Sequence, residues 1–153
     1  MKRFCNMIAS YASAVLASFA EFGAQDTIPG LSAAADLSAA GKQYIAVRMA
    51  GSNTVNIASE VGGVSGVNKM GVGVLQNLPK SGESATVAYH GLSKVRGGGT
   101  VTGNALITYN GSGMFIDAVS GDVVMGRALE TATTAGEIIT ALLFPPVRWS
   151  SVA

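Results

Sequence analysis

His90 is the only histidine and Cys5 the only cysteine in 153 residues. A Ser-His-Asp or Cys-His nucleophile would have to use His90, because an imidazole must take the nucleophile's proton. His90 ends an expected strand just before Gly91, with no constellation spaced around it. Structural zinc takes four nitrogen or sulfur ligands, and the chain owns one Cys and one His. A lone Cys also excludes an internal disulfide. Asp117-Ala-Val-Ser-Gly-Asp122 lacks the alternating oxygen donors of a calcium loop and reads as a turn. Arg96-Gly97-Gly98-Gly99 could cradle a phosphate only with a helix opening behind it. Thr100-Val-Thr-Gly-Asn104 follows instead, so this stretch reads as a flexible inter-strand loop. Asn110-Gly111-Ser112 has the form of a glycosylation sequon and is read as a turn. None of the acids sits in a recognisable motif. The expectation is no catalytic residue, no cofactor and no metal.

The elements that would carry these residues are short. After Gly41, β-branched and aromatic runs alternate with Gly, Asn, Ser and Asp clusters, the texture of an all-β domain. Strands are expected at 43–49, 54–59, 71–76, 84–90, 104–109, 114–119, 122–129 and 137–144. Asn110-Gly111 is the strongest hairpin signal, since both residues tolerate the positive φ of a type I′ turn. Ser120-Gly121-Asp122 is read as closing the next hairpin, because short connections force antiparallel neighbours. A shift of 54 residues lays Leu75-Gln76 on Leu129-Glu130, Gly82-Glu83 on Gly136-Glu137 and Thr86 on Thr140. That echo fits either a structural repeat or two hairpins built to one turn rule.

The first residues differ in texture. Lys2 and Arg3 precede an apolar run from Phe4 to Ala20 that ends in a small-residue pattern like a cleavage site. The run is interrupted by Asn6 and serines, and no stretch reaches the ~18–20 clean apolar residues of a membrane span. It reads as a helix over 1–23, with Ile8, Tyr11 or Ala12, Val15, Phe19 and Phe22 on one face. With Phe4, these are the candidate partner-binding residues if the helix is an arm docking on a neighbouring subunit; the equal alternative is a helix folded onto its own domain. Residues 24–42, carrying Pro29, Gly30 and Gly41, read as a linker with a helical turn at 32–36. The expected organisation is an arm over 1–35 and a compact, antiparallel, barrel-like β-domain over 36–153.

Composition narrows the function. Ten basic and nine acidic residues leave a net charge of +1. That is no electrostatic footprint for a nucleic-acid backbone. Charged residues make up 12% of the chain, against ~25% in an ordinary soluble domain. So little charge points to a surface largely covered in the working state, by copies of the chain or by a partner.

The run Asp36-Leu-Ser-Ala-Ala-Gly-Lys-Gln-Tyr-Ile-Ala-Val-Arg48 resembles the opening of small tailed-phage head decoration, or capsid cement, proteins. Gly71-Val-Gly-Val-Leu-Gln-Asn-Leu-Pro-Lys-Ser-Gly-Glu-Ser-Ala-Thr-Val87 is similar to their most recognisable block. Gly91-Leu-Ser-Lys-Val95, Val124-Met-Gly-Arg-Ala-Leu-Glu130 and Ala135-Gly-Glu-Ile-Ile139 follow in the family's order. The resemblance spans roughly 36–144 and rests on order and spacing, since each motif is short. It implies a barrel-like or tulip-like fold. It also implies a non-enzymatic role on the outer capsid surface of the virion, bound to the major capsid protein and self-associated as a homotrimer. No nucleic acid or membrane partner is implied. Residues 1–35 are not a recognised family feature. Two other readings are open. A carbohydrate- or cell-surface-binding β-sandwich of a phage fibre would need three aromatics clustered on one face. A secreted or membrane-active protein would use the apolar N-terminus.

Overall fold

The computed structural model describes residues 25–59 and 70–150. They form an all-β body. Ten strands run β1 Asp26–Ile28, β2 Ser32–Ala33, β3 Ala46–Gly51, β4 Thr54–Ile57, β5 Gly71–Leu75, β6 Val87–Arg96, β7 Leu106–Tyr109, β8 Phe115–Asp117, β9 Val123–Ala128 and β10 Ile138–Arg148. A single 3-10 turn, Ala40–Lys42, interrupts them. All ten belong to one sheet in the order β2-β4-β3-β5-β6-β10-β9-β7-β8, with β1 added on β6. Every pairing is antiparallel except β2 with β4.

The eight expected strands are all present, with ends shifted by a few residues. β6 extends further than expected. His90 does not end it: the strand runs through Gly91, at φ 90, and on to Arg96. The linker reading of 24–42 is corrected over its described part. Asp26 pairs with His90 and Ile28 with Val87. Leu31, Ala33 and Leu37 are buried at 5% exposure or less, so 32–36 holds a short strand and not a helical turn. Residues 25–35 are therefore built into the β-body. The helix expected over 1–23, with its stripe, lies outside the described residues.

Two turns also differ from expectation. Neither Asn110 nor Gly111 has positive φ; Gly113 does, at 75. Gly113 N–H donates to Asn110 O, and Asn110 Oδ1 accepts from the N–H groups of Ser112 and Met114. This is a three-residue loop ending in a left-handed glycine, selected because the Asn side chain supplies an acceptor at the turn's start. Ser120-Gly121-Asp122 joins strands that are not neighbours. β7 lies between β8 and β9, so that short connection steps across a strand.

The sheet consists of two equivalent units joined through β6. In unit 1, Val47 pairs with Ile57 and Gly73; in unit 2, Ile107 pairs with Asp117 and Gly126. Leu75 pairs with Val87 and Ala128 with Ala141. The parallel pair Ala33–Val55 is matched by the parallel bridge Gly97–Phe115. Ala33 exchanges backbone hydrogen bonds with Gly82 and Glu83, and Gly97 does the same with Gly136 and Glu137. The left-handed residues recur in step, Tyr44 with Asn104, Asn53 with Gly113 and Gly82 with Gly136. Each unit closes on itself as a small barrel. The first half of β6 ends unit 1, and its second half opens unit 2.

The cores repeat as well. Leu31, Leu37, Val47, Val55 and Val87 fill unit 1. Their counterparts Val95, Val101, Ile107, Phe115 and Ala141 fill unit 2. Each of the larger side chains removed from water contributes roughly 1.5–3 kcal/mol before ordering costs. Unit 2's cluster also takes in Ala46, Val74 and Ala88, from the opposite face of unit 1's sheet. Unit 1 is therefore packed on both faces at that row. The 54-residue echo is a structural repeat. Its turn side is in register, but unit 2's excursion is one residue longer, so Gln76 N–H bonds Thr86 O where Leu129 N–H bonds Thr140 O.

Candidate functional site: an apolar row between two cavities

The residues singled out for chemistry have structural positions. His90 Nδ1 lies 3.3 Å from Asp26 Oδ2, with both side chains more than half exposed. Tyr89 lies beside it, ring centroids 6.5 Å apart. The Arg96-Gly-Gly-Gly loop is pinned. Arg96 donates to the carbonyls of Gln43, Gly136 and Ala40, while Gly98 N–H donates to Phe115 O. Its guanidinium is committed to the backbone. Asp117 accepts from Thr102 N–H and Oγ1, and Asp122 accepts from Val119 N–H. Among the described residues, no group of three His, Cys, Asp or Glu side chains could hold a metal. Phe4, Ile8, Tyr11, Val15, Phe19 and Phe22 lie outside the described residues.

Three carboxylates are held below their ordinary pKa. Glu137 is lowered by the backbone N–H of Thr133, then that of Thr134; Glu130 by the N–H of Thr140; Asp36 by the Ser38 hydroxyl and N–H. All three are exposed and close turns. Turn closure therefore accounts for their titration.

What the surface does offer is apolar. Across unit 2's outer face, Leu92 pairs with Leu142, Leu142 with Arg127, and Arg127 with Leu106. This is a row of side chains spanning four strands. Leu92 and Leu142 are 41% and 42% exposed. The row joins two cavities. One, about 340 Å³, is lined by Gln25, Tyr44, Gln76, Leu92 and Thr140. The other, about 330 Å³, is lined by Leu106, Val124, Phe144, Val147 and Trp149. Val147 is 54% exposed. Arg127 is steered by Asn104, whose backbone and side-chain oxygens accept from its Nη1.

Sequence reasoning did not single out this row. Its signal is present in Ile138-Ile-Thr-Ala-Leu-Leu-Phe144, which is apolar in both phases of the strand period. Such a strand is covered on both faces, yet β10 is covered on one.

Phe144 and Trp149 share a cavity, but a third clustered aromatic is not found among the described residues. Tyr109 and Phe115 are fully buried, and Tyr44 packs against the core.

The fold and surface define a class: a two-unit, all-β body with an apolar outer row. No family model matches the chain, and no curated protein matches it. Among solved structures, it is similar to the crystal structure of the head fibre gp8.5 N base of bacteriophage phi29. The TM-score is 0.53 at 14% sequence identity, covering 82% of this chain and 98% of that one. At that identity the likeness is one of fold. It is to a head fibre base and not to a decoration protein.

Proposed function

We propose that this chain is a non-enzymatic structural component of a tailed-phage head. In this reading it binds the outer surface of the major capsid protein lattice and stabilises the mature head. The observation that carries the proposal is the fold match to a phage head fibre base over nearly that chain's whole length. The decoration-protein motifs between 36 and 144 support the same setting. Copies associate with one another, as a homotrimer on the lattice, which suits a chain with 12% charged residues. The stripe of Phe4, Ile8, Tyr11, Val15, Phe19 and Phe22 supplies part of the contact with coat or sister subunits, as apolar segments do in grooves.

The test is co-sedimentation with heads that lack the protein. Saturable binding at a fixed ratio to the coat, with heads gaining heat resistance, is the expected result. Absence of binding to intact heads would reject the proposal. Glycan-dependent retention of the protein on host cells, without head binding, would select the fibre-module reading instead.

A further inference from the structure

The two units are equivalent in hydrogen bonding but not in surroundings. The row Ala46–Val74–Ala88 of unit 1 corresponds to Leu106–Arg127–Leu142 of unit 2. The first row is wholly buried. What covers it is unit 2, through the end of β7 and the β7–β8 loop. Ala46 N–H donates to Gly113 O at 2.7 Å. Gly71 N–H donates to the Tyr109 hydroxyl at 2.8 Å. A Cβ on Gly71 would strike Met125 and Tyr109, and one on Gly113 would strike Ala46 O. The contact is close-fitting, and small residues make room for it.

Both halves of that contact have counterparts. Ala46 and Gly71 correspond to Leu106 and Val124, which line the cavity of about 330 Å³; Val124 is itself buried and paired with Val147 of β10, so the opening lies on the Leu106 side. Among the described residues, no counterpart of Tyr109 and Gly113 covers the Leu106 side of that seat on unit 2, and it forms a hollow. The plug has a counterpart too. Gly113 corresponds to Asn53, left-handed like it, on the β3–β4 hairpin whose tip, 50–53, is exposed. Within one chain the hollow and the hairpin cannot meet as the existing pair does, because unit 1 already uses unit 2 as its cover.

We propose that the Leu106 cavity of one copy receives the β3–β4 hairpin tip of a second copy, repeating between chains the contact that unit 2 makes on unit 1. This rests on the self-association proposed above and names its surface. The contact is heterologous: hollow and hairpin are different patches of one chain, so copies join head to tail and either close a ring or extend. Leu142 and Leu92, continuing the row away from the cavity, would be covered along with it. The larger side chains of the open row suit an interface between separate chains, which must bury enough apolar area to offset lost rigid-body freedom.

Two measurements on the full chain test this. The first is sedimentation of the parent protein and of Val147→Asp, at a cavity position 54% exposed. The expected result is a concentration-dependent oligomer for the parent and at least a tenfold weaker association for the variant, with an unchanged melting temperature. The second mixes two single-thiol proteins, both with Cys5→Ser. One carries Asn53→Cys and the other Leu106→Cys. A mixed disulfide dimer, in excess over either like-with-like dimer, is expected. A parent that is monomeric at every concentration would overturn self-association itself. A parent oligomer that survives Val147→Asp and gives no mixed dimer would overturn this surface alone. In a Leu106→Cys protein that keeps Cys5, an intrachain disulfide between Cys5 and the new thiol would also overturn it, showing the cavity taken by the chain's own first residues.

Discussion

Gly73 and Gly126 occupy the same place in the two units, for one steric reason. A Cβ on Gly73 would lie 2.4 Å from Ala88 O, and one on Gly126 2.7 Å from Leu142 O. The obstacle in both cases is partner-strand backbone, which cannot swing aside. Gly73→Ala and Gly126→Ala should each destabilise by about 1–3 kcal/mol, the usual range for overpacking. Gly41→Ala, facing open space, should stay within about 0.5 kcal/mol. Chemical denaturation would show the contrast. Glu137 makes the second residue-scale case. Its folded pKa is depressed, so its contribution is complete above the ordinary glutamate range and is lost as pH falls through and below it. Glu137→Gln should lower the melting temperature at neutral pH, and the gap to the parent should close on acidification. A gap that stays constant to low pH would show that the turn relies on the side chain's shape and not on its charge. His90→Ala should change stability by under about 0.5 kcal/mol, since its contact with Asp26 is exposed and surface substitutions of this kind cost little.

At the scale of elements, the strands were legible because period-2 alternation and turn residues mark them directly. All eight expected strands exist. β1 and β2 were missed because Asp26–Ile28 and Ser32–Ala33 are too short to show a period and sit beside Pro29 and Gly30. The Asn110 turn was located correctly but its type was wrong. Asn-Gly favours the type I′ geometry locally, and the two N–H groups bonded to Asn110 Oδ1 override that preference. Asn110→Ala should therefore cost about 1–2 kcal/mol, with two hydrogen bonds to one acceptor lost. Restoring the acceptor with Asn110→Asp should recover most of it. Unfolding by urea would test both. The repeat was half legible. Gly82-Glu83 and Gly136-Glu137 stood in register, but a one-residue longer excursion in unit 2 broke the match for β5 and β9, which hides Gly73 opposite Gly126. The apolar row was hidden for another reason. Exposure of Leu142 depends on what covers β10, which no local pattern encodes.

For the whole molecule, the shared strand ties the units together. β6 contributes Val87 to unit 1's core and Ala88 and Val95 to unit 2's cluster, without a linker between. Unit 1's outer row is at once a surface of its own barrel and part of the neighbouring core. Neither unit can open without stripping cover from the other. Calorimetry should record one transition whose calorimetric and van't Hoff enthalpies agree, despite the internal repeat. Two resolved transitions would mean that the Ala46–Val74–Ala88 row contributes little to the joint.

The same row carries a consequence for synthesis. On a ribosome, unit 1 is complete once Gly91 has emerged, but its cover is not. At about 5–20 residues per second, the β7–β8 loop and the rest of unit 2 follow over the next several seconds. During that interval the row faces a crowded cytosol. Two of its three residues are alanine, so the nascent half presents little apolar area to a passing chain. The counterpart row, with two leucines, is complete only once Leu142 has emerged, after the first row has received its cover.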